Sequence, residues 1–395
     1  MAERRVQELR ATPFGRLLVA HVVLIAGDTL VTIALAGSLF FSISPHAARG
    51  RVALYLALTM APFAVIAPLL GPLLDRGGAR RAMVVVSGLG RAVVCLLMAN
   101  DLKSLLLFPE AFAVLVLSKG YSIAKSALVP AAVAEDRELV GANSRLALAA
   151  IAVGLVASVP GIAVLKLVGA RWVLRLAAVV FVGGGLAAFG ISSGRATEKT
   201  GRGTDPDLRT AGIVLAASAM ALLRGSVGFL TFLLAFALRH SHAPSWWFGL
   251  VLAASMAGSL IGTASAPRLR RLVPEERILL GALVLVTVVG LFASRAGGRP
   301  WAAGMAAAVA IAATAGKLAF DSLVQRDAPD AARGRSFARF ETRFQLSWVV
   351  GALIPVVVPV PSRLGYLVLA VVALFAAASY VAGRRAVRRA PPAPA

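Results

Sequence analysis

Long apolar stretches, separated by short segments that carry most of the charge, recur along the whole chain. Of its 395 residues, 59% are hydrophobic and 15% are Asp, Glu, Lys or Arg. A helix needs about 20 apolar residues to cross the hydrocarbon core of a bilayer, because each residue adds about 1.5 Å. The stretches that meet this length predict an all-α membrane protein with twelve transmembrane helices, at 17–41, 52–74, 82–100, 105–130, 146–168, 172–192, 211–238, 246–266, 277–294, 301–325, 344–361 and 363–383.

The basic residues predict how the chain lies in the membrane. A net charge of +23 could indicate nucleic-acid binding, but most Arg residues lie in short loops between apolar stretches. They concentrate on one predicted side, so the positive-inside rule predicts a multi-pass protein with both termini in the cytoplasm. We therefore expect contact with anionic lipid headgroups and not with nucleic acid. Abundant Ala, Arg, Gly and Val suggests a high-GC bacterium and hence its plasma (inner) membrane.

The two halves of the chain resemble each other at one common offset. Lys119 corresponds to Lys317 in this way, and about half the chain also separates Arg145 from Arg343. Such an offset predicts two six-helix bundles related by an axis along the membrane normal. The expected domains are 1–192, a cytoplasmic linker at 193–210, and 211–395 with its basic tail.

A short loop between the second and third stretches carries the most specific motif. The sequence there resembles the G-x-L-x-D-R-x-G-R-[RK] loop of the major facilitator superfamily, with Ala79 at a position where that family has Arg. The resemblance implies the two-bundle fold of that family and a cytoplasmic latch that favours the outward-facing state. The residues that carry it as a gating loop are Gly71, Asp75, Arg76, Gly78, Arg80 and Arg81. The corresponding loop of the second half, 267–271, lacks an Asp, so we expect the latch on one side only.

Two further segments indicate a branch of the family. Residues 125–130 followed by 142–146 resemble the P-A-L-V-P…A-N-x-L segment of macrolide-efflux and enterobactin-exporter-like multidrug transporters. Residues 154–161 resemble a degraded antiporter motif that has lost its central Gly-Pro pair. The resemblance implies efflux by an antiporter.

Asp28 lies near the middle of the first predicted helix. An ionisable group within hydrocarbon costs roughly 2.5–3.5 kcal/mol, so each such group requires a reason. One interpretation makes Asp28 a proton carrier; the other makes it a fixed ion pair with Arg91 or Arg224. Arg224 is the counterpart of Asp28 in the second half, where it could bind an anionic group of a substrate or neutralise Asp28.

Three more charged residues lie within predicted helices. Lys317 and Asp321 are four residues apart, so they share one helix face and can form a local pair, or they can serve the substrate in the central cavity. Lys119 lies where the family often has an Arg associated with proton transfer, which makes it a second candidate for proton coupling.

The remaining signals argue against an enzyme. No phosphate-binding loop and no metalloprotease or hydrolase motif occurs, and one Cys, Cys95, cannot form an internal disulfide. No metal or cofactor is predicted, since His240 and His242 alone are a weak signal.

Together these observations predict a monomeric secondary-active transporter that exports a small amphipathic compound, such as a drug, macrolide or siderophore, in exchange for protons. Uptake or uniport on the same fold, and a membrane accessory or lipid-handling protein without ion coupling, are the alternatives.

Overall fold

Helices account for nearly all of the chain that the structure, a computed structural model, describes: residues 12–39, 78–102, 104–191, 206–241, 244–328 and 333–389. In chain order the helices are α1 (Pro13–Leu39), α2 (Ala79–Asn100), α3 (Leu107–Ala132), α4 (Leu139–Val168), α5 (Ala170–Ala188), α6 (Pro206–His240), α7 (Ser245–Leu272), α8 (Glu275–Ala296), α9 (Arg299–Asp327), α10 (Arg333–Val357) and α11 (Ser362–Arg389).

Most of the expected transmembrane helices are present. Among the described residues, 10 helices are long and apolar enough to cross a membrane by length and composition. The helix expected at 344–361 corresponds to α10, which starts eleven residues earlier, at Arg333, and ends at Val357. The charged first half of α10 lowers its mean hydropathy. The helix expected at 52–74 lies outside the described residues. Large apolar side chains are exposed on many of these helices, as lipid contact requires.

The described residues form two compact units. The first contains α1 to α5 and the start of α10 (333–339), and the second contains α6 to α9, the rest of α10 and α11. Residues 206–210, which fall in the expected linker at 193–210, form the first turns of α6. A helix can extend beyond the hydrocarbon with polar residues in its first turns, so the apolar run starting at 211 does not mark where this helix begins. The domain boundaries stay predictions.

Within the first unit, α5 packs against both α1 and α2, while α2 also contacts α3 and α1 contacts α4. Within the second unit, α9 packs against α6, α7 and α8 and is the most buried of the candidate spans. Helix α11 packs on α6 and α8, and α10 adjoins α6, where the Trp348 ring meets the Phe232 ring edge to face at 6.3 Å between centroids. Small side chains dominate these contacts, which lets the helix axes approach closely.

Candidate functional site

An ion pair between α1 and α2 is the main polar contact inside the first unit. Arg91 Nη1 donates to Asp28 Oδ1 at 2.5 Å. The Arg91 side chain is completely buried, whereas the Asp28 side chain remains 25% exposed. Of the two arginines considered as partners for Asp28, the structure thus pairs it with Arg91. One end of the pair is sealed inside the unit and the other is accessible.

The surroundings of Arg91 stabilise its charge without a second anion. Its Nε donates to the Ser87 carbonyl oxygen at 2.9 Å, one turn back on the same helix. The guanidinium carbon lies 4.5 Å from the centre of the Phe181 ring and 5.6 Å from that of Tyr121, so two aromatic faces enclose the cation. Gly27, next to Asp28, leaves room for the Phe181 ring, because a Cβ there would lie 2.5 Å from Phe181 Cε1. The Nη2 of Arg91 is buried with no hydrogen-bond partner among the described residues.

Helix α3 contributes two polar residues next to Asp28. Ser118 Oγ donates to Asp28 Oδ2 at 3.4 Å, and the charge of Lys119 acts on the same carboxylate. Lys119, a predicted proton-coupling residue, therefore belongs to the same group as Asp28 and Arg91. Arg91 contacts the Asp28 carboxylate directly, whereas Lys119 acts on it only through its charge.

A second polar contact lies deeper in the first unit. His21 Nε2 is 3.1 Å from the Leu146 carbonyl oxygen, and His21 Nδ1 is 2.6 Å from the Tyr121 hydroxyl. A carbonyl only accepts, so Nε2 carries the hydrogen, and in a neutral ring Nδ1 accepts from Tyr121. Tyr121 thus touches the His21 ring on one side and the Arg91 cation on the other. Sequence reasoning did not single out Tyr121 or Phe181; aromatic residues in apolar helices give no signal that separates this use from packing.

The second unit has a separate group of charges. Lys317 Nζ donates to Asp321 Oδ1 at 2.5 Å, the local pair that the four-residue spacing predicts. The same ammonium is 3.9 Å from Glu341 Oε2 on α10. All three side chains are between 12% and 24% exposed. Glu341 was not identified from sequence because it lies before the apolar run of its helix.

Arg224 occupies the middle of α6, as its place in the repeat predicts. It is half-buried and has no hydrogen bond or ion pair with the described residues of its own unit. Two turns earlier on the same helix, Ser218 Oγ accepts from Arg343 Nη2 at 3.2 Å. A half-buried guanidinium in a membrane span is costly. A role for Arg224 in binding an anionic group remains a prediction.

The predicted gating loop falls mostly outside the described residues, which exclude Gly71, Asp75 and Arg76. Gly78 is described, and its φ of 81° is left-handed, a conformation that Gly adopts at little cost. Helix α2 begins directly after it, with Arg80 and Arg81 in its first turn and half-buried.

In the second half, residues 267–271, expected to form a loop, are the last turns of α7, and Glu275 supplies a carboxylate that they lack. Glu275 is completely buried; its Oε1 lies 2.7 Å from Arg270 Nε, and its Oε2 accepts from Arg326 Nη1 at 3.0 Å. Arg326 also pairs with Asp327, and it reaches Glu276 at 3.5 Å. Residues 267–271 contain no Asp, yet an acidic residue at the start of α8 joins the ends of α7, α8 and α9.

The described residues contain no group of three or more His, Cys, Asp or Glu side chains arranged to hold a metal ion. Cys95 is buried. Asp28 is paired with Arg91. Ten helices of membrane-spanning length and hydropathy among the described residues define the class of the protein as a polytopic membrane protein.

The chain belongs to the Major Facilitator Superfamily, whose family model matches residues 17–352. It is 30% identical over 389 residues to the uncharacterized protein ML2143 of Mycobacterium leprae, and 30% identical over 375 residues to the uncharacterized protein Rv0876c of Mycobacterium tuberculosis. These matches cover 84% of this chain, which spans 65% of the length of the first relative and 67% of the second.

Solved structures show the same fold. A bacterial homologue of the iron transporter ferroportin, in an outward-facing state, matches with a TM-score of 0.76 at 18% identity, over 94% of this chain and 99% of that one. The human organic anion transporter MFSD10 matches with a TM-score of 0.68 at 15% identity, over 93% and 99% of the two chains. The transporter FucP in its outward conformation matches with a TM-score of 0.62 at 15% identity, over 97% of this chain and all of that one.

Proposed function

We propose that the protein is a secondary-active transporter that exports a small amphipathic compound in exchange for protons, with Asp28 as the proton carrier. The observation that carries this proposal is the asymmetry of the Asp28–Arg91 pair: a partly exposed carboxylate in a membrane span, held by a fully buried guanidinium. A proton can reach the exposed carboxylate, and its arrival changes the charge next to a cation that cannot move into water.

Protonation of Asp28 must cost no more than the proton gradient supplies. Leaving a buried charge without its partner costs about 3–5 kcal/mol, whereas one proton crossing 100 mV supplies about 2.3 kcal/mol. The two aromatic faces on Arg91 can each contribute roughly 0.5–2 kcal/mol, and the Ser87 carbonyl keeps its hydrogen bond in either state. With these contacts the cost of protonating Asp28 comes within reach of the driving force. Protonation can then bias the equilibrium between two conformations of the transporter.

Uptake or uniport on the same fold is the alternative. A pair that stays ionised throughout the cycle exchanges no proton, and the short contact between Asp28 and Arg91 favours such a pair. In that case the Asp28–Arg91 contact serves only to hold α1 against α2.

Two sequence motifs support a particular branch of the family and a class of substrate. We place the chain in the macrolide-efflux and enterobactin-exporter-like branch on residues 125–130 and 142–146, which supports a drug, macrolide or siderophore-like substrate. Both termini in the cytoplasm, an inner-membrane location and a monomer belong to the same proposal, as does the latch role of Asp75 and Arg76.

Two experiments test the function. A deletion strain screened for growth against antibiotics, dyes and siderophores should show sensitivity to at least one compound, which identifies a cargo. Inverted membrane vesicles with an imposed pH gradient, acid inside, should accumulate that cargo, and a protonophore should abolish the accumulation. Accumulation that is indifferent to the gradient would rule out proton exchange and favour uniport.

A further inference from the structure

A groove runs between α8 and α11 at the end of the second unit where α8 begins. At its polar end it is lined by Glu276, Arg277, Tyr380, Arg384 and Arg385. A shallow, apolar depression continues from it and shares Leu280, Val381 and Arg385 with the first part. Its other walls are Val284, Leu374, Ala377, Ala378 and Ala382. The groove therefore has a basic end, and the rest of it is lined by apolar side chains.

The length of the groove matches one leaflet of a bilayer. From Arg385 back to Leu374 the wall follows eleven residues of α11, which is about 16 Å at the rise of an α-helix. The hydrocarbon of one leaflet is about 15 Å thick. Leu374 and Val284 are 55% and 46% exposed, so the apolar part opens on the outer surface of the helices and not on the core of the unit.

The charge at the polar end favours an anion. Arg277 and Arg385 are exposed and have no ion pair or hydrogen bond within the described ranges of the chain. Arg384 Nη2 is 3.8 Å from Glu276 Oε1, and its guanidinium lies 5.9 Å from the centre of the Tyr380 ring. Three arginines thus face one carboxylate, which leaves an excess of two positive charges.

We infer that this groove binds an anionic phospholipid, with the headgroup phosphate at Arg277, Arg384 and Arg385 and one acyl chain along Leu280, Val381 and Leu374. A soluble anion would use the basic end but not the apolar wall. A protein partner would have to enter a surface that lies within two membrane spans, Glu275–Ala296 and Ser362–Ala386. A phospholipid satisfies both ends of the groove, and the basic end lies on the side that the positive-inside rule assigns to the cytoplasm.

The bound headgroup would act on the ionic contacts of the second unit. Glu276 lies between Arg384 at 3.8 Å and Arg326 at 3.5 Å, and Arg326 reaches the buried Glu275. A phosphate on Arg384 provides a second anion for the same chain of contacts, which joins α8, α9 and α11. Anionic lipid should therefore raise the thermal stability of the protein as well as bind to it. The inference does not depend on the proposed substrate or on proton coupling.

Native mass spectrometry of the full-length protein in detergent tests the binding, with dioleoyl phosphatidylglycerol as the anionic probe and dioleoyl phosphatidylcholine for comparison. The wild type should bind phosphatidylglycerol preferentially and denature at a higher temperature in its presence. In Arg277→Ala/Arg385→Ala the affinity for phosphatidylglycerol should fall roughly 30-fold, since each basic residue near anionic lipid contributes about 1 kcal/mol.

The matched control is Arg268→Ala/Arg271→Ala, which removes two exposed arginines at the same end of the unit but outside the groove. It should keep the lipid preference. Ala378→Phe fills the apolar part without changing the charge and should weaken phosphatidylglycerol binding. The inference is overturned if the wild type binds both lipids equally, if the control loses as much affinity as the groove variant, or if Ala378→Phe binds phosphatidylglycerol like the wild type.

Discussion

At the scale of single residues, the Asp28–Arg91 pair sets strict limits on substitution. Arg91 is fully buried, so Asp28→Asn leaves a cation without its counterion, which costs about 3–5 kcal/mol less the part that the two aromatic faces offset. We expect Asp28→Asn to lower the midpoint of thermal denaturation in detergent strongly. Asp28→Asn/Arg91→Gln, which is neutral at both positions, should recover most of that loss. A double variant no more stable than Asp28→Asn would show that the charge of Arg91 is balanced elsewhere.

The buried hydroxyl of Tyr121 provides a second test at this scale. Tyr121→Phe leaves the Nδ1 of His21 as a buried acceptor without a donor, which should cost about 1–3 kcal/mol of stability. Tyr366→Phe is the matched control, because Tyr366 is also buried but its hydroxyl makes no hydrogen bond within the described residues. Thermal denaturation of the two variants compares them directly. Equal losses would indicate that the hydrogen bond to His21 contributes nothing.

At the scale of helices, close approach between backbones holds α7 against α9. A Cβ at Gly262 would lie 2.6 Å from the Ile311 carbonyl oxygen, closer than real Cβ atoms come, whereas a Cβ at Gly249 on the same helix would meet nothing within 4 Å. Gly262→Val should therefore reduce the yield of monodisperse protein on size-exclusion chromatography and lower its thermal stability. Gly249→Val should leave both unchanged. Similar behaviour of the two variants would contradict the packing described for α7 and α9.

The charged contacts at the start of α8 make a separate prediction. Glu275→Gln removes the carboxylate shared by Arg270 and Arg326 in a completely buried position, so a loss of about 3–5 kcal/mol is expected. Glu135→Gln removes a solvent-exposed pair with Arg137 and should have no measurable effect on thermal denaturation. If Glu275→Gln proved as stable as the wild type, Glu275 would have no role in joining the helices.

Element positions follow from sequence better than contacts between elements do. The apolar stretches gave the helices because length and hydropathy are local properties, and the Lys317–Asp321 pair followed because spacing within one helix fixes which side chains meet. The choice of Arg91 over Arg224 as the partner of Asp28 depends on how α1, α2 and α5 pack, which no spacing encodes. Glu275 and Glu341 were missed for a related reason. Each lies in the polar first part of a helix, and such a segment is expected to be exposed to solvent.

At the scale of the whole molecule, membership of the Major Facilitator Superfamily and the fold are established by the family match and by the solved structures, whereas coupling and cargo are proposals. The first unit presents one carboxylate to two cations, and the second presents two carboxylates to one lysine. If Asp28 alone carries the proton, Glu341→Gln should alter cargo affinity at most and leave coupling intact. Loss of gradient-driven accumulation in Glu341→Gln, measured in inverted vesicles, would move proton coupling to the second unit.

Transport by the neutral double variant Asp28→Asn/Arg91→Gln decides whether Asp28 carries the coupling proton. With a cargo identified by the resistance screen and wild-type and variant proteins reconstituted in liposomes, both gradient-driven accumulation and cargo exchange at zero gradient are measured. We expect that the variant exchanges cargo but no longer accumulates it against a concentration difference when the pH gradient is imposed. Accumulation equal to that of the wild type would contradict it, because the transporter would then couple to protons without a carboxylate at position 28.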